Sequence, residues 1–306
     1  MAAIVVAIVG ATGIGMWAER RYGGAASLAS RRSLLFVLYF VLPFVTFFNL
    51  VHVHFDANVG IAIGLGYVAL IGAALIAWLV ASRVLDLNRA AIGSVLVCVV
   101  VANTGYLGYP LVAALLGFDD LSHAVVYDVL VSGPATLLGA FSLAAAFGER
   151  AGEGPRQRII AFFTRNPALY AAALALIAPD VLAPTALVDA SRIAIVTVLP
   201  LGFFAVGTAL AAEAEEGAMP VPPPFDAPVA LAVVIRLLLA PGLLYLLALW
   251  LVDLPASYLL LAAMPCGINT MVVTHAYGLD LRVSAGAVAW STAIAVVAIV
   301  PISLLT

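Results

Sequence analysis

Lysine is missing altogether: the chain of 306 residues carries 13 basic residues, and all of them are arginine. Schiff-base chemistry needs a lysine amine, so retinal pigments and pyridoxal enzymes are excluded. Charge of either sign is scarce. Asp, Glu, Lys and Arg together make up 9% of the residues, against about 25% in a soluble globular domain, so that class is excluded too. Cysteine is limited to Cys98 and Cys266, both inside apolar runs. They form neither a disulfide framework nor a metal-ligand spacing and read as small core residues. No nucleotide-binding loop supports direct ATP drive. No HExxH motif, Ser/His set or paired aspartates on facing helices marks an intramembrane enzyme. The net charge of −3 points to no partner, and nothing calls for a cofactor, a metal or nucleic acid.

In place of charge stand long apolar runs. Hydrophobic residues make up 65% of the chain, with a mean hydropathy of +1.19. Ten stretches come near or exceed the roughly 20 residues that a hydrocarbon core requires. They are about Ala2–Trp17, Ser33–Val51, Ala57–Val80, Ala90–Leu116, Leu121–Phe147, Pro167–Leu182, Val188–Ala211, Val229–Val252, Ser257–Tyr277 and Val283–Leu305, the sixth being short. The first has no basic leader region and no cleavage site, and reads as a retained span rather than a signal peptide.

Two of these stretches are interrupted. In the fourth, "ANTGYLGYP" (Ala102–Pro110) brings polar side chains at Asn103 and Thr104, loose backbone at Gly105 and Gly108, and a missing donor at Pro110. In the ninth, "PCGINT" (Pro265–Thr270) does the same. Within lipid every backbone polar group needs a partner, so such breaks survive only where they are buried in protein or line a wet cavity. Broken spans at matching places of two halves point to a transporter binding site.

Arginines cluster after the odd-numbered spans: Arg20, Arg21, Arg31 and Arg32; Arg83 and Arg89; Arg150, Arg156, Arg158 and Arg165; and Arg282. The positive-inside rule makes those connections cytoplasmic and puts both termini outside. The connection Glu213–Pro228 departs from the pattern, with Glu213, Glu215, Glu216, Asp226 and no arginine; it reads as a flexible linker. The basic stretch 148–166 divides the chain into residues 1–147 and 167–306, five spans each. An odd number of spans per half inverts the second half relative to the first. "VLPFVTFF" (Val41–Phe48) and "VLPLGFFA" (Val198–Ala205), and the pairs Asn103-Thr104 and Asn269-Thr270, echo each other across the halves. The expected fold is an all-α polytopic membrane protein of ten helices in two inverted five-helix repeats, with crossing, broken spans four and nine.

These residues carry a family resemblance. "NTGYLGYPLVAALLG" (Asn103–Gly117) resembles the Asn-x-x-x-x-Gly-x-Pro signature of the auxin efflux carrier family. Pro265–Pro301 is similar to that family's ninth and tenth spans, and "RNPALYAAALAL" (Arg165–Leu176) and "RLLLAP" (Arg236–Pro241) match its habits in spans six and eight. The resemblance covers nearly the whole chain. It implies a scaffold part, a transport part, crossover prolines at Pro110 and Pro265, a substrate-facing Asn103 and a homodimer. Its members carry organic anions, from indole-3-acetate to dicarboxylates such as malonate or malate. Asn269 stands where the plant members have an aliphatic residue, which favours a small polar anion over auxin, and the short basic linker lacks the long phosphorylatable loop of the plant carriers.

The substrate-site candidates are therefore Asn103, Thr104, Pro110, Pro265, Asn269 and Thr270. The asparagines also fit a second role, bonding unwound backbone, and Thr104, Thr270 and Ser291 fit bonding to helix carbonyls. Asp128 in span five is a candidate ion or proton site, with snorkelling to the interface as its other reading. Arg236 in span eight is a candidate counter-charge for an anion or a snorkelling arginine. His52, His54 and His123 are expected near the outer surface, and His275 at the cytoplasmic rim. Together they describe a secondary carrier of a small organic anion in the cytoplasmic membrane of a bacterium or archaeon. The alternative is a Na⁺- or H⁺-coupled symporter or antiporter of the bile-acid or sodium/proton carrier type.

Overall fold

A chain this apolar must close its backbone hydrogen bonds within each segment, and the helix is the segment that does so. The computed structural model describes residues 2–53, 57–149, 154–164, 166–215 and 223–305, and among these no named strand forms. The helical runs are α1 (Ala2–Tyr22), α2 (Gly24–Leu50), α3 (Ala57–Val84), α4 (Arg89–Val100), α5 (Tyr109–Leu115, preceded by a π turn, Thr104–Gly108) and α6 (Leu121–Phe147). After them come α7 (Pro155–Thr164), α8 (Pro167–Ala175), α9 (Thr185–Glu215), α10 (Ala227–Ala248), α11 (Ala256–Ala262), α12 (Asn269–Tyr277) and α13 (Leu281–Leu305). Six runs among the described residues are long and apolar enough to cross a membrane: α2, α3, α6, α10 and the main parts of α9 and α13.

Local chemistry sets several starts. Asn88, Asn166 and Asp226 each accept, through the side chain, the free amide three residues on, at 2.9, 3.3 and 3.3 Å, and so open α4, α8 and α10. Pro167 and a proline in the first turn of α10 occupy positions where the absent N–H costs nothing. The basic linker contains α7, and α9 runs on to Glu215 into the acidic connection.

The helices pack in two groups. In one, α1 lies along α9, and α2 packs on α8 and α9. The crossing of α1 and α9 is backbone to backbone: a Cβ on Gly207 would stand 2.1 Å from the Thr12 carbonyl oxygen, and one on Gly15 2.2 Å from that of Phe204. In the other, α4 is enclosed by α3, α6, α10, α12 and α13. Every residue of α4 from Ala91 to Val100 is buried, as suits a helix that is apolar all round. The outward faces of α3 and α10, with Val68, Ile71, Leu75, Leu238 and Leu246, remain exposed, the condition of a surface whose solvent is lipid.

Candidate functional site

The two interruptions meet. Helix α4 ends at Val100 and the chain resumes its helix at Thr104; α11 ends at Ala262 and α12 begins at Asn269. Between them the extended backbones cross in one antiparallel bridge, Ala102 against Cys266. Asn103 N donates to Pro265 O at 2.8 Å, and Gly267 N to Val101 O at 2.9 Å. Two helix C-termini and two helix N-termini therefore converge on one spot, with partial negative charge on one side and partial positive charge on the other.

The negative side is closed by a buried cation. Arg236, 3% exposed, sits on a π turn of α10 (Ile235–Leu239). Its Nε donates to Met264 O at 3.0 Å, its Nη1 to Val99 O at 2.8 Å, and its Nη2 to Ala262 O. These carbonyls belong to the ends of both α4 and α11, which have no partner within their own helices. The forked guanidinium serves both at once, as a point-like ammonium does not. A further closure comes from Ser291 of α13, whose Oγ accepts from Cys266 N at 3.1 Å.

The positive side is open. A cavity of about 150 Å³ is bounded by the break residues Ala102, Asn103, Thr104, Gly105, Tyr106, Gly267, Ile268 and Asn269, by Asp128, Ser132 and Thr136 of α6, and by Leu38, Leu42, Asn166 and Ala168. The last four come from α2 and the start of α8, so the cavity lies between the two helix groups. Asn103 is 3% exposed, and its side-chain Oδ1 has no hydrogen-bond partner among the described residues. An unpaired buried amide atom is costly, about 1–3 kcal/mol, and one on a cavity wall is where a ligand would be met. Because the amide's oxygen and nitrogen are interchangeable by a flip, the group can offer either an acceptor or a donor.

Asp128 is drawn in by the first break. It stands on a π turn of α6 (Asp128–Ser132). Thr104 Oγ1 donates to its Oδ1, and Tyr109 OH to its Oδ2 at 2.7 Å.

Of the residues singled out in the sequence, Asn103, Thr104, Asn269 and Asp128 thus share one cavity. Pro265 contributes its carbonyl to the crossing. Thr270, next in the chain to Asn269, is fully buried, and its Oγ1 is without a partner among the described residues. Pro110 lies elsewhere, lining a different cavity with Ala7, Phe118, Val196 and Pro200. The crossing residue of the first break is Ala102, not Pro110. The chain leaves the helix at Val101, and the donor that Pro110 lacks would reach back only to carbonyls of the π turn Thr104–Gly108, which already lies past the crossing. Arg236 neither snorkels nor faces the cavity. Ser291 also donates to Val288 O at 3.4 Å, and His123 is half-buried while His52 is exposed. His54, Arg150, Arg165 and residues 216–222 of the acidic connection lie outside the described residues.

Sequence reasoning passed over Tyr106, Tyr109 and Asn166. The first two stand inside the quoted "ANTGYLGYP" run, and Asn166 before Pro167 is a helix-start signal that also placed a polar group on the cavity wall.

The family described as "Membrane transport protein" matches residues 2–145 and 161–303. The unmatched residues between, 146–160, take in the last two residues of α6 and the basic linker as far as the first part of α7. No curated protein matches the chain.

Proposed function

The chain belongs to the membrane transport protein family, that of the auxin efflux carriers, and is an integral membrane protein; from this we propose that it is a secondary carrier of a small organic anion. The anion binds in the cavity at the crossing, where the half-helices beginning at Thr104 and Asn269 present their positive N-terminal ends and Asn103 and Asn269 offer side-chain amides. Movement of the group α1, α2, α8 and α9 against the group around α4 then exposes the site to either side in turn. The observation that carries this reading is the unpartnered Asn103 Oδ1 on a cavity wall between two helix N-termini.

The accompanying architecture is ten spans in two inverted repeats, residues 1–147 and 167–306, joined by the linker 148–166. Its support is that helix occurs in each of the ten stretches and that the fourth and ninth are the broken ones, crossing antiparallel. Both termini lie outside a bacterial or archaeal cytoplasmic membrane, and two copies form the working unit. With that orientation the cavity opens inward, since Asn166 and Ala168 on its wall lie at the end of the basic linker and just after it. Coupling to Na⁺ at the crossing carbonyls is disfavoured: Val99, Ala262 and Met264 already hold Arg236.

Purified protein in liposomes, offered labelled mono- and dicarboxylates, tests the proposal. Saturable uptake that Asn103→Ala abolishes is expected; uptake indifferent to that substitution refutes the site.

A further inference from the structure

Both oxygens of Asp128 are engaged, and by the broken span alone: Thr104 and Tyr109 lie on the half-helix that runs away from the crossing. No cation pairs with this carboxyl among the described residues, where the ion pairs join Arg192 to Asp119 and Asp189 at the surface. Among the described titratable groups of this interior, Arg236 alone is positive, and it is engaged elsewhere. Tyr67 of α3 donates to Leu130 O. Tyr127, next to Asp128, packs on Tyr258 of α11 with ring centroids 5.1 Å apart. Cys98 and Cys266 are buried free thiols. Arg236 of α10 is bonded to the three crossing carbonyls and not to Asp128.

Asp128 nevertheless lines the same cavity as Asn103, and that cavity holds only about 150 Å³. If a carboxylate is the cargo, its charge arrives beside a second carboxylate in a space with little water to screen them. Two acids sharing a low-dielectric site do not both stay ionised; one takes up a proton.

We infer that Asp128 is the proton site that makes substrate binding conditional, so that one proton accompanies each organic anion in the same direction. This rests on the carrier reading above. Asp128 takes a proton from the side on which the cavity is open, and the carboxylate then binds at Asn103 beside a neutral acid. Both cross, and once the anion has left, Asp128 returns the proton to the far side. No bond other than this O–H is made or broken, and the site ends the cycle as it began. The hydroxyl facing the protonated oxygen, Thr104 or Tyr109, turns from donor to acceptor, and the other goes on donating to the remaining carbonyl oxygen. Their bonds link the charge of Asp128 to the half-helix that borders the substrate.

The test uses full-length protein in liposomes with labelled malonate and labelled malate as probes, and reads two quantities. Counterflow against the same unlabelled acid reports binding and turnover without a gradient. Accumulation under an imposed inside-alkaline pH gradient, together with an internal pH dye, reports coupling. Under a gradient of about one pH unit with the membrane potential held at zero, the wild type is expected to accumulate label up to about tenfold over a gradient-free control, with acidification of the interior. Asp128→Asn, which mimics the protonated acid, is expected to lose the pH dependence of the counterflow that it retains, and to lose the accumulation and the acidification. Asp128→Glu restores the carboxyl and is expected to restore both, so a folding defect in the asparagine variant is told apart from lost coupling. Wild-type uptake without proton movement, or accumulation that persists in Asp128→Asn, overturns the inference while leaving the carrier intact. Absence of counterflow for both acids in the wild type overturns the carrier reading for dicarboxylates and this inference with it.

Discussion

The first break carries the chain from one half-helix to the next over three residues (101–103), the second over six (263–268). Their chemistry differs more than their length. In the second, Met264 O is held by Arg236, Pro265 O by Asn103 N, Cys266 N by Ser291 Oγ, and Gly267 N by Val101 O. Four consecutive residues are thereby closed by protein, and a buried polar atom left open among the described residues lies beyond them, at Thr270 Oγ1. In the first, Val101 O, Asn103 N and Asn103 O find backbone partners, while among the described residues the side chains stay open: Asn103 keeps an unpaired amide oxygen, and Thr104 turns its hydroxyl to an acid with no paired cation. One break works as a joint. Its partner holds the polar groups that something else must complete, and buried polar groups are left incomplete in folded proteins mainly where function needs them.

The sharpest way to break this comparison is to remove the group that both breaks share. Arg236→Ala leaves three buried carbonyls without a donor, and stability should fall by about 3–5 kcal/mol, each such group costing about 1–3 kcal/mol. Thermal unfolding in detergent measures this. Arg236→Lys should recover only part of the loss, because one ammonium does not span both helix ends. Next in size, Ser291→Ala strands the buried Cys266 amide at a cost of about 1–3 kcal/mol, read by the same melt. The smallest effect belongs to the open break: Asn103→Ala should leave stability within about 1 kcal/mol of the wild type, since it deletes an atom that has no partner to lose. The same variant should abolish carboxylate uptake. A large stability loss in Asn103→Ala would erase the distinction between the two breaks.

The breaks themselves were legible in the sequence. Asn, Gly and Pro gathered inside an apolar run weaken the helix there, and lipid tolerates that only at a buried or wet place. Helix was expected and is found in all ten stretches. What joins the pieces was not legible. The bonds from Thr104 and Tyr109 to Asp128 cross between helices, and an apolar sequence gives no sign of which helix faces will meet. Arg236 had two readings, snorkelling or a counter-charge for an anion; it does neither, because the carbonyls it serves come from residues far along the chain in both directions. Its π turn, and those of Thr104 and Asp128, leave no mark in a hydrophobic period. Pro110, read as a crossing residue, lies past the crossing because the chain had already unwound at Val101.

The most direct measurement places a reporter in the cavity without touching the polar groups. Thr136 of α6 lines it, while Cys98 and Cys266 are buried. Thr136→Cys, labelled with a water-soluble thiol reagent, should react, and a transported carboxylate should slow the reaction. Adding Asn103→Ala should remove that protection. Labelling whose rate is the same with and without a transported carboxylate would mean that the substrate binds somewhere other than the crossing.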